Sequence, residues 1–369
     1  IMNPTTDVLE QRVSEMEGGI AGLAVASGMS AITYAIQAIT AAGDNIISTS
    51  QLYGGTYNLF AHTLPRQGIE VRFASGDDLA SFDQLIDENT KAVFCESIGN
   101  PAGNIIDLAG LAKIAHKHGV PLIVDNTVAS PALCRPFEHG ADIVVHSLTK
   151  YIGGHGTTIG GIIVDSGKFD WVANKNRFPM LNEPDPSYHD VVYTEALGAA
   201  AYIGRCRVVP LRNTGAALSP HSSFLIMQGL ETLCLRMERH CENALKVAKY
   251  LKAHEKVSWV NYAALPDSPY NALCQKMTNG QASGILSFGI KGGSEAGGRF
   301  IDALEMILRL VNIGDAKSLA CHPASTTHRQ LNPEELKSAG VSEDLVRISV
   351  GIEHIDDIIA DIEQALEKA

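Results

Sequence analysis

Lys150 closes the stretch Ser147-Leu148-Thr149-Lys150, just past a buried-strand pattern over residues 141–147. A lysine beside two hydroxyls at a strand end can act as a desolvated amine nucleophile, and the hydroxyls of Ser147 and Thr149 can hold phosphate oxygens. Asp125 ends the apolar run Leu122-Ile123-Val124, where a carboxylate is costly unless it is paired. Lys150 follows Asp125 by 25 residues, about one strand, a connection and the next strand, so both side chains fall at one edge of a sheet. An amine that can condense with an aldehyde and a carboxylate that can hold a ring nitrogen protonated are the two groups a pyridoxal 5'-phosphate (PLP) site requires, because the protonated ring is the electron sink. Ser27-Gly28-Met29 lies between a strand pattern and a helix pattern, and N–H groups at a helix start favour a phosphate. Tyr53-Gly54-Gly55-Thr56 follows another strand and offers a ring for stacking. Taken singly, each has an ordinary reading: a snorkelling lysine, a turn or cap aspartate, a glycine turn, a surface tyrosine. The spacing makes them a set.

The elements that must position this set alternate. Residues 23–26, 45–49, 70–74, 92–96, 121–125, 141–147 and 161–164 read as strands, with helical spacing over 28–42 and over 107–118, where Asp107 is a candidate N-cap. Such alternation predicts an α/β fold with a mostly parallel sheet covered on both faces, with ligands held at the carboxyl ends of the strands. Residues 173–214, with Pro179, Pro184, Pro186 and several aromatics, read as an irregular excursion able to form a lid. A long helix is expected over 231–253, strands over 283–290 and 345–350, and helices over 300–310 and 355–366. The expected division is a large domain over residues 1–245 and a smaller C-terminal α+β domain over 246–369.

The chain has 369 residues, 45% hydrophobic and 19% charged, with a formal net charge of −12. That length calls for more than one core, and the acidic balance without Lys/Arg clusters argues against nucleic acid or an anionic membrane surface as partner. No apolar run approaches the roughly 20 residues that span a bilayer, and no signal peptide is visible. Seven scattered cysteines without a CxxC pair point to a reducing cytoplasm rather than a disulfide framework or zinc site. His155, His322 and His328 match no ligand spacing, so no metal is expected. Residues 153–161 superficially resemble a dinucleotide loop, but the spacing is wrong and a strand follows.

Across essentially its whole length the sequence resembles the Cys/Met-metabolism branch of fold type I PLP enzymes. The resemblance rests on Asn3-Pro4-Thr5, Ser27-Gly28-Met29, Tyr53-Gly54-Gly55-Thr56, Asp125-Asn126-Thr127, Ser147-Leu148-Thr149-Lys150-Tyr151, residues 322–328 and Arg347-Ile348-Ser349-Val350-Gly351-Ile352-Glu353. It implies the PLP-dependent transferase fold. It also implies that Lys150 forms the Schiff base and shuttles protons, that Asp125 pairs with the pyridinium nitrogen and that Tyr53 stacks on the ring. Ser27, Gly28, Met29, Ser147 and Thr149 would bind the phosphate. Arg347, helped by Asn100 and Ser318, would hold the substrate α-carboxylate, with Glu96 near the ring. In the family a Tyr-x-Arg pair precedes the Asn-Pro-Thr stretch and reaches a neighbouring subunit's phosphate. Here Ile1 stands just after its place, so an N-terminal arm is expected upstream. A homotetramer built from two dimers with shared sites is implied.

Within the family the likeness is to O-acetylhomoserine sulfhydrylases, through residues 178–189, Pro220-His221-Ser222-Ser223-Phe224 and Gly289-Ile290-Lys291-Gly292-Gly293. The implied reaction joins O-acetyl-L-homoserine and sulfide to give L-homocysteine and acetate, in methionine biosynthesis. The runner-up is a methionine or cystathionine γ-lyase, and cystathionine γ-synthase is a third reading. Methionine-cleaving relatives tend to carry cysteine where Gly55 stands.

Overall fold

A computed structural model describes residues 1–323, 326 and 342–369. Of the 322–328 stretch, Ala324, Ser325, Thr327 and His328 lie outside the described residues. Two sheets organise the chain. The first has seven strands in the order β1-β7-β6-β5-β4-β2-β3, where β1 is Ala21–Val25, β2 Asn45–Thr49, β3 Glu70–Ala74, β4 Thr90–Glu96, β5 Leu122–Asp125, β6 Ile143–Ser147 and β7 Gly161–Asp165. All neighbours run parallel except β7, which is antiparallel to both β1 and β6. The central strands are buried along nearly their whole length, which is why they read as continuous Val, Ile and Phe runs. The second sheet runs β10-β11-β12-β9-β8, with β8 Val257–Asn261, β9 Ile285–Ile290, β10 Leu308–Arg309, β11 Leu319–Cys321 and β12 Leu345–Ser349. Only β10 and β11 pair in parallel. The 21-residue helix Leu233–Ala253 follows the first sheet and packs on β8, β9 and the closing helix Ile355–Lys368. This is the α/β architecture expected, with a mostly parallel sheet and a smaller mixed one. Among the described residues no helix is long and apolar enough to cross a membrane.

Helix α1, Pro4–Glu17, starts at Asn3, whose Oδ1 accepts the Thr6 N–H at 2.9 Å, and stops at Gly18 with φ +78°. Its buried face mixes Leu9 and Val13 with Thr6, Glu10, Ser14 and Glu17. Helix α2, Gly28–Gln37, is capped by Ser27, which accepts the Ser30 N–H. Gly28 has no substitute here, since a Cβ would lie 2.7 Å from the Ser147 Cβ. That close approach sets the α2 N-terminus against the end of β6.

Three expectations are corrected. The 300–310 helix is instead the helix Gly293–Ala303 followed by edge strand β10. The helix expected over 28–42 stops at Gln37. The 173–214 excursion contains short helices at Pro179–Asn182, Tyr193–Leu197 and Ala201–Cys206. Phe178 packs into the core against Phe169 and Trp171, and Asp185 gathers Ser187, Tyr193 and Arg205. No residue of 173–214 lines the cavity described next, so nothing places a lid there.

Candidate functional site

A cavity of about 230 Å³ opens where the carboxyl ends of the parallel strands converge. Ser27, Gly28, Met29 and Ile32 come from the β1–α2 connection and the start of α2, Tyr53 and Thr56 from the stretch after β2, and Glu96, Ile98 and Asn100 from the end of β4 and beyond. Asp125, Thr127 and Val128 follow from β5, and Ser147, Thr149 and Lys150 from β6. Val311 and Ile313, between β10 and β11, close it from the second sheet. The structure thus brings together Ser27, Gly28, Met29, Tyr53, Glu96, Asn100, Asp125, Ser147, Thr149 and Lys150. Arg347 and Ser318 do not line the cavity.

Glu96 and Asp125 are register partners on adjacent strands, two carboxylates side by side. Burial raises both above the usual carboxylate range; beside Glu96 the Asp125 charge raises it further, while at Asp125 the Thr127 bonds and the His146 ring act the other way. Glu96 is spent on backbone: Oε1 accepts the Tyr53 N–H at 2.6 Å and Oε2 the Asn100 N–H at 3.2 Å. Asp125 is not. Its Oδ1 accepts both the N–H and the hydroxyl of Thr127, and the Thr127 Oγ1 in turn accepts the Ser147 N–H at 2.8 Å. Asp125 Oδ2 carries no bond among the described residues, and Asp125 lines the cavity. Thr127, which ties Asp125 to the end of β6, stands in the Asp125-Asn126-Thr127 motif but was given no role from sequence; its place two residues after Asp125 was the available signal.

Lys150 is held with its ammonium on Asn312 Oδ1. Burial, and then the Arg347 charge, push its pKa down to about 8. Asn312 had no sequence motif to reveal it. Arg347, buried on β12, donates to Asn100 Oδ1 at 3.1 Å and to the carbonyls of Val311 and Asn312, and its Nε has no partner among the described residues. It stands one residue behind the wall, through Asn100. Ser318 is buried and bonded to Glu353 through both its N–H and its hydroxyl.

At the other end of the cavity, the first-turn N–H groups of Gly28 and Met29 have no acceptor inside their helix, and the Ser147 and Thr149 side chains stand beside them. Thr149 Oγ1 exchanges bonds with the Gly160 backbone. Tyr53 is 42% exposed and forms an uncovered wall. A Cβ on Gly55 would lie 2.6 Å from the Tyr53 ring, so only glycine lets the ring rest where it does. Amide and hydroxyl donors for a phosphate, an unspent carboxylate oxygen for a ring nitrogen and a lysine amine for an aldehyde make a donor set that fits PLP. Among the described residues no three His, Cys, Asp or Glu side chains converge as a metal would need.

Residues 1–367 match the model of the family described as Cys/Met metabolism PLP-dependent enzyme. The homocysteine synthase of Schizosaccharomyces pombe is 55% identical over 370 residues, covering 100% of this chain and 86% of that protein. The O-acetyl-L-homoserine sulfhydrylase of Leptospira meyeri is 50% identical, covering 100% of this chain and 85% of that protein. A solved structure of an O-acetylhomoserine (thiol)-lyase from Campylobacter jejuni, carrying N'-pyridoxyl-lysine-5'-monophosphate, superposes with a TM-score of 0.96 at 45% identity, over 99% of this chain and 87% of that one.

Proposed function

Because the chain belongs to the Cys/Met metabolism PLP-dependent enzyme family, we propose that it catalyses γ-replacement on O-acetyl-L-homoserine, with sulfide displacing acetate to give L-homocysteine. The observation that carries the reading is the cavity that joins the Lys150 amine, the unspent Asp125 Oδ2 and the α2 N-terminus, in a chain about half identical to proteins named for this reaction.

PLP bound here supplies the electron sink that acidifies the substrate Cα–H. Lys150 Nζ would take that proton, hand it on to the cofactor side and, neutral again, take one from Cβ, after which acetate would leave from Cγ and sulfide add there. Its lowered pKa, about 8, leaves a useful neutral fraction near neutral pH. Asp125 Oδ2 would hold the proton on the ring nitrogen, with Thr127 fixing that carboxylate by occupying Oδ1. Gly28, Met29, Ser147 and Thr149 would bind the phosphate, and Tyr53 would offer its ring for stacking. Arg347 and Asn100 take the α-carboxylate, Arg347 turning a donor from the carbonyls it now holds. Ser318 acts behind them through Glu353 rather than on substrate. Ile98, Val128, Val311 and Ile313 give an apolar wall that limits water at Cγ.

The reading extends to methionine biosynthesis, a reducing cytoplasm and a homotetramer with shared sites. The seven free cysteines, six of them buried, support the compartment. The phosphate end supports site sharing, since Lys150 is the only cation lining the cavity among the described residues and a phosphate dianion calls for another. For the division at residues 245/246, the support is that β8–β12 all lie beyond it in a sheet of their own.

The test is to incubate the enzyme with O-acetylhomoserine, with and without sulfide, and to quantify homocysteine against 2-oxobutyrate. Homocysteine dominates when sulfide is present, and methionine is cleaved poorly. Efficient 2-oxobutyrate release from methionine, with little homocysteine from the ester, transfers the assignment to a γ-lyase.

A further inference from the structure

Behind the strand ends that carry Glu96, Asp125 and Ser147 lies a row of buried polar side chains to which the reaction gives no task. Strand alternation turns their neighbours Ser97, Asn126 and His146 toward the opposite face of the sheet. There Ser97 Oγ donates to Asn126 Oδ1 at 2.8 Å, and Asn126 Nδ2 donates to Glu17 Oε1 at 2.9 Å and to the Cys134 carbonyl at 2.8 Å. Glu17 Oε1 also meets His146 Nε2 at 2.5 Å. Glu17 reaches the row from the last turn of α1. None of the four side chains' residues is more than 1% exposed.

Two atoms of the row, Glu17 Oε2 and His146 Nδ1, have no partner among the described residues. A buried carboxylate and imidazole with unspent bonding capacity cost stability, and an apolar group of similar shape would fill the space more favourably. Filling the core does not account for them. Their position does: one member stands next in sequence to each of Glu96, Asp125 and Ser147, and Glu17 binds two of the three. The charged and titratable groups around His146 are Glu17 from α1, Asp125 across the strand with Glu96 beyond it, and the Cys134 thiol beside Glu17. Its partner on β7 is the apolar Ile162.

We propose that Glu17, His146, Asn126 and Ser97 are positioning residues for the cofactor site, a hydrogen-bonded row that locks the ends of β4, β5 and β6 in register and supports the Asp125 carboxylate from behind against its neighbour Glu96. The inference rests on the PLP reading of the cavity. Losing the row weakens Asp125's hold on the ring proton. A ring less firmly protonated withdraws less charge from the amine end, so the pH midpoint of the bound cofactor's visible absorbance moves upward.

The test compares His146→Gln, Glu17→Gln and Ser97→Ala with the parent, measuring PLP affinity of the apoprotein and the pH midpoint of absorbance once loaded. The parent turns yellow with PLP; a colourless parent removes the PLP reading itself. With a yellow parent, His146→Gln and Glu17→Gln bind PLP roughly tenfold more weakly, the size of one lost charge-assisted contact, and raise the midpoint. Ser97→Ala moves the midpoint the same way by less. Asp142→Asn, at the far edge of the sheet, lowers the melting temperature without moving the midpoint. Folded variants with parental affinity and midpoint overturn the proposal. If His146→Gln does not fold, Glu17→Gln and Ser97→Ala decide by the same two readings.

Discussion

At the amino edge of the seven-stranded sheet, Asp142 Oδ2 accepts the Leu122 N–H at 2.8 Å and meets His116 Nε2 at 2.8 Å, while Asp165 Oδ1 accepts the Gly167 N–H at 2.9 Å. At the carboxyl edge, Asp125 commits one oxygen to Thr127 and leaves the other unbonded among the described residues, beside the cavity it lines. Both edges bury carboxylates, so burial alone does not mark function. The difference lies in where the remaining bonding capacity points. At the amino edge it caps backbone amides or, at Asp165 Oδ2, is closed in without a partner among the described residues; at the carboxyl edge it stands at a cavity, with an amine and helix-start amides beside it.

Substitutions at the two edges should therefore fail in different assays. The largest effect is at Lys150. Lys150→Ala removes turnover, by at least the 10²–10⁴-fold typical of a lost acid–base group, and removes the yellow colour, while thermal stability is kept. Borohydride-reducible cofactor still attached to that variant would move the amine's role elsewhere. Asp125→Asn comes next. It costs about 2–4 kcal/mol of transition-state stabilisation with PLP still bound, read as kcat/KM, and wild-type turnover would erase the distinction between the edges. Asp142→Asn should do the reverse, losing about 1–3 kcal/mol of folding stability in denaturant titration while kcat and KM stay put. The smallest and most pH-dependent effect is at Asp165, whose buried carboxyl is pushed up to about 7. A carboxyl with a raised folded pKa is at its most favourable below the unfolded value near 4, and that contribution is lost as pH rises through about 7. Asp165→Asn should accordingly gain stability over the parent at pH 8 relative to pH 5, by roughly 1 kcal/mol or more, with activity unchanged. Equal melting shifts at the two pH values would contradict this.

The carboxyl edge was the more legible of the two from sequence. Parallel strands buried on both faces write themselves as apolar runs, so β2 and β3 were expected at the bounds they occupy, and the polar residues at or just past the ends of such runs drew notice to Asp125 and Lys150. Helix α1 went unread because its buried face is half polar, with Glu10 and Glu17 bonded to partners distant in sequence, including Arg207 and His146. The helix Gly293–Ala303 was misplaced because Gly293, Gly297 and Gly298 dilute its helical signal. Asn312 was invisible for another reason: its contact with Lys150 spans 162 residues of sequence, and nothing local encodes that meeting.

That contact has a mechanical side. Lys150 on Asn312, and Asn100 on Arg347, each tie the end of the first sheet to the second. The cavity is thus also a seam, stitched by the same side chains that a bound substrate would recruit. A molecule gripping Lys150 at one end and Arg347 at the other replaces those stitches with itself, so ligand occupancy and the fastening of the two halves become a single variable. Protease resistance at this seam should rise with loading even where the fold of each half is untouched.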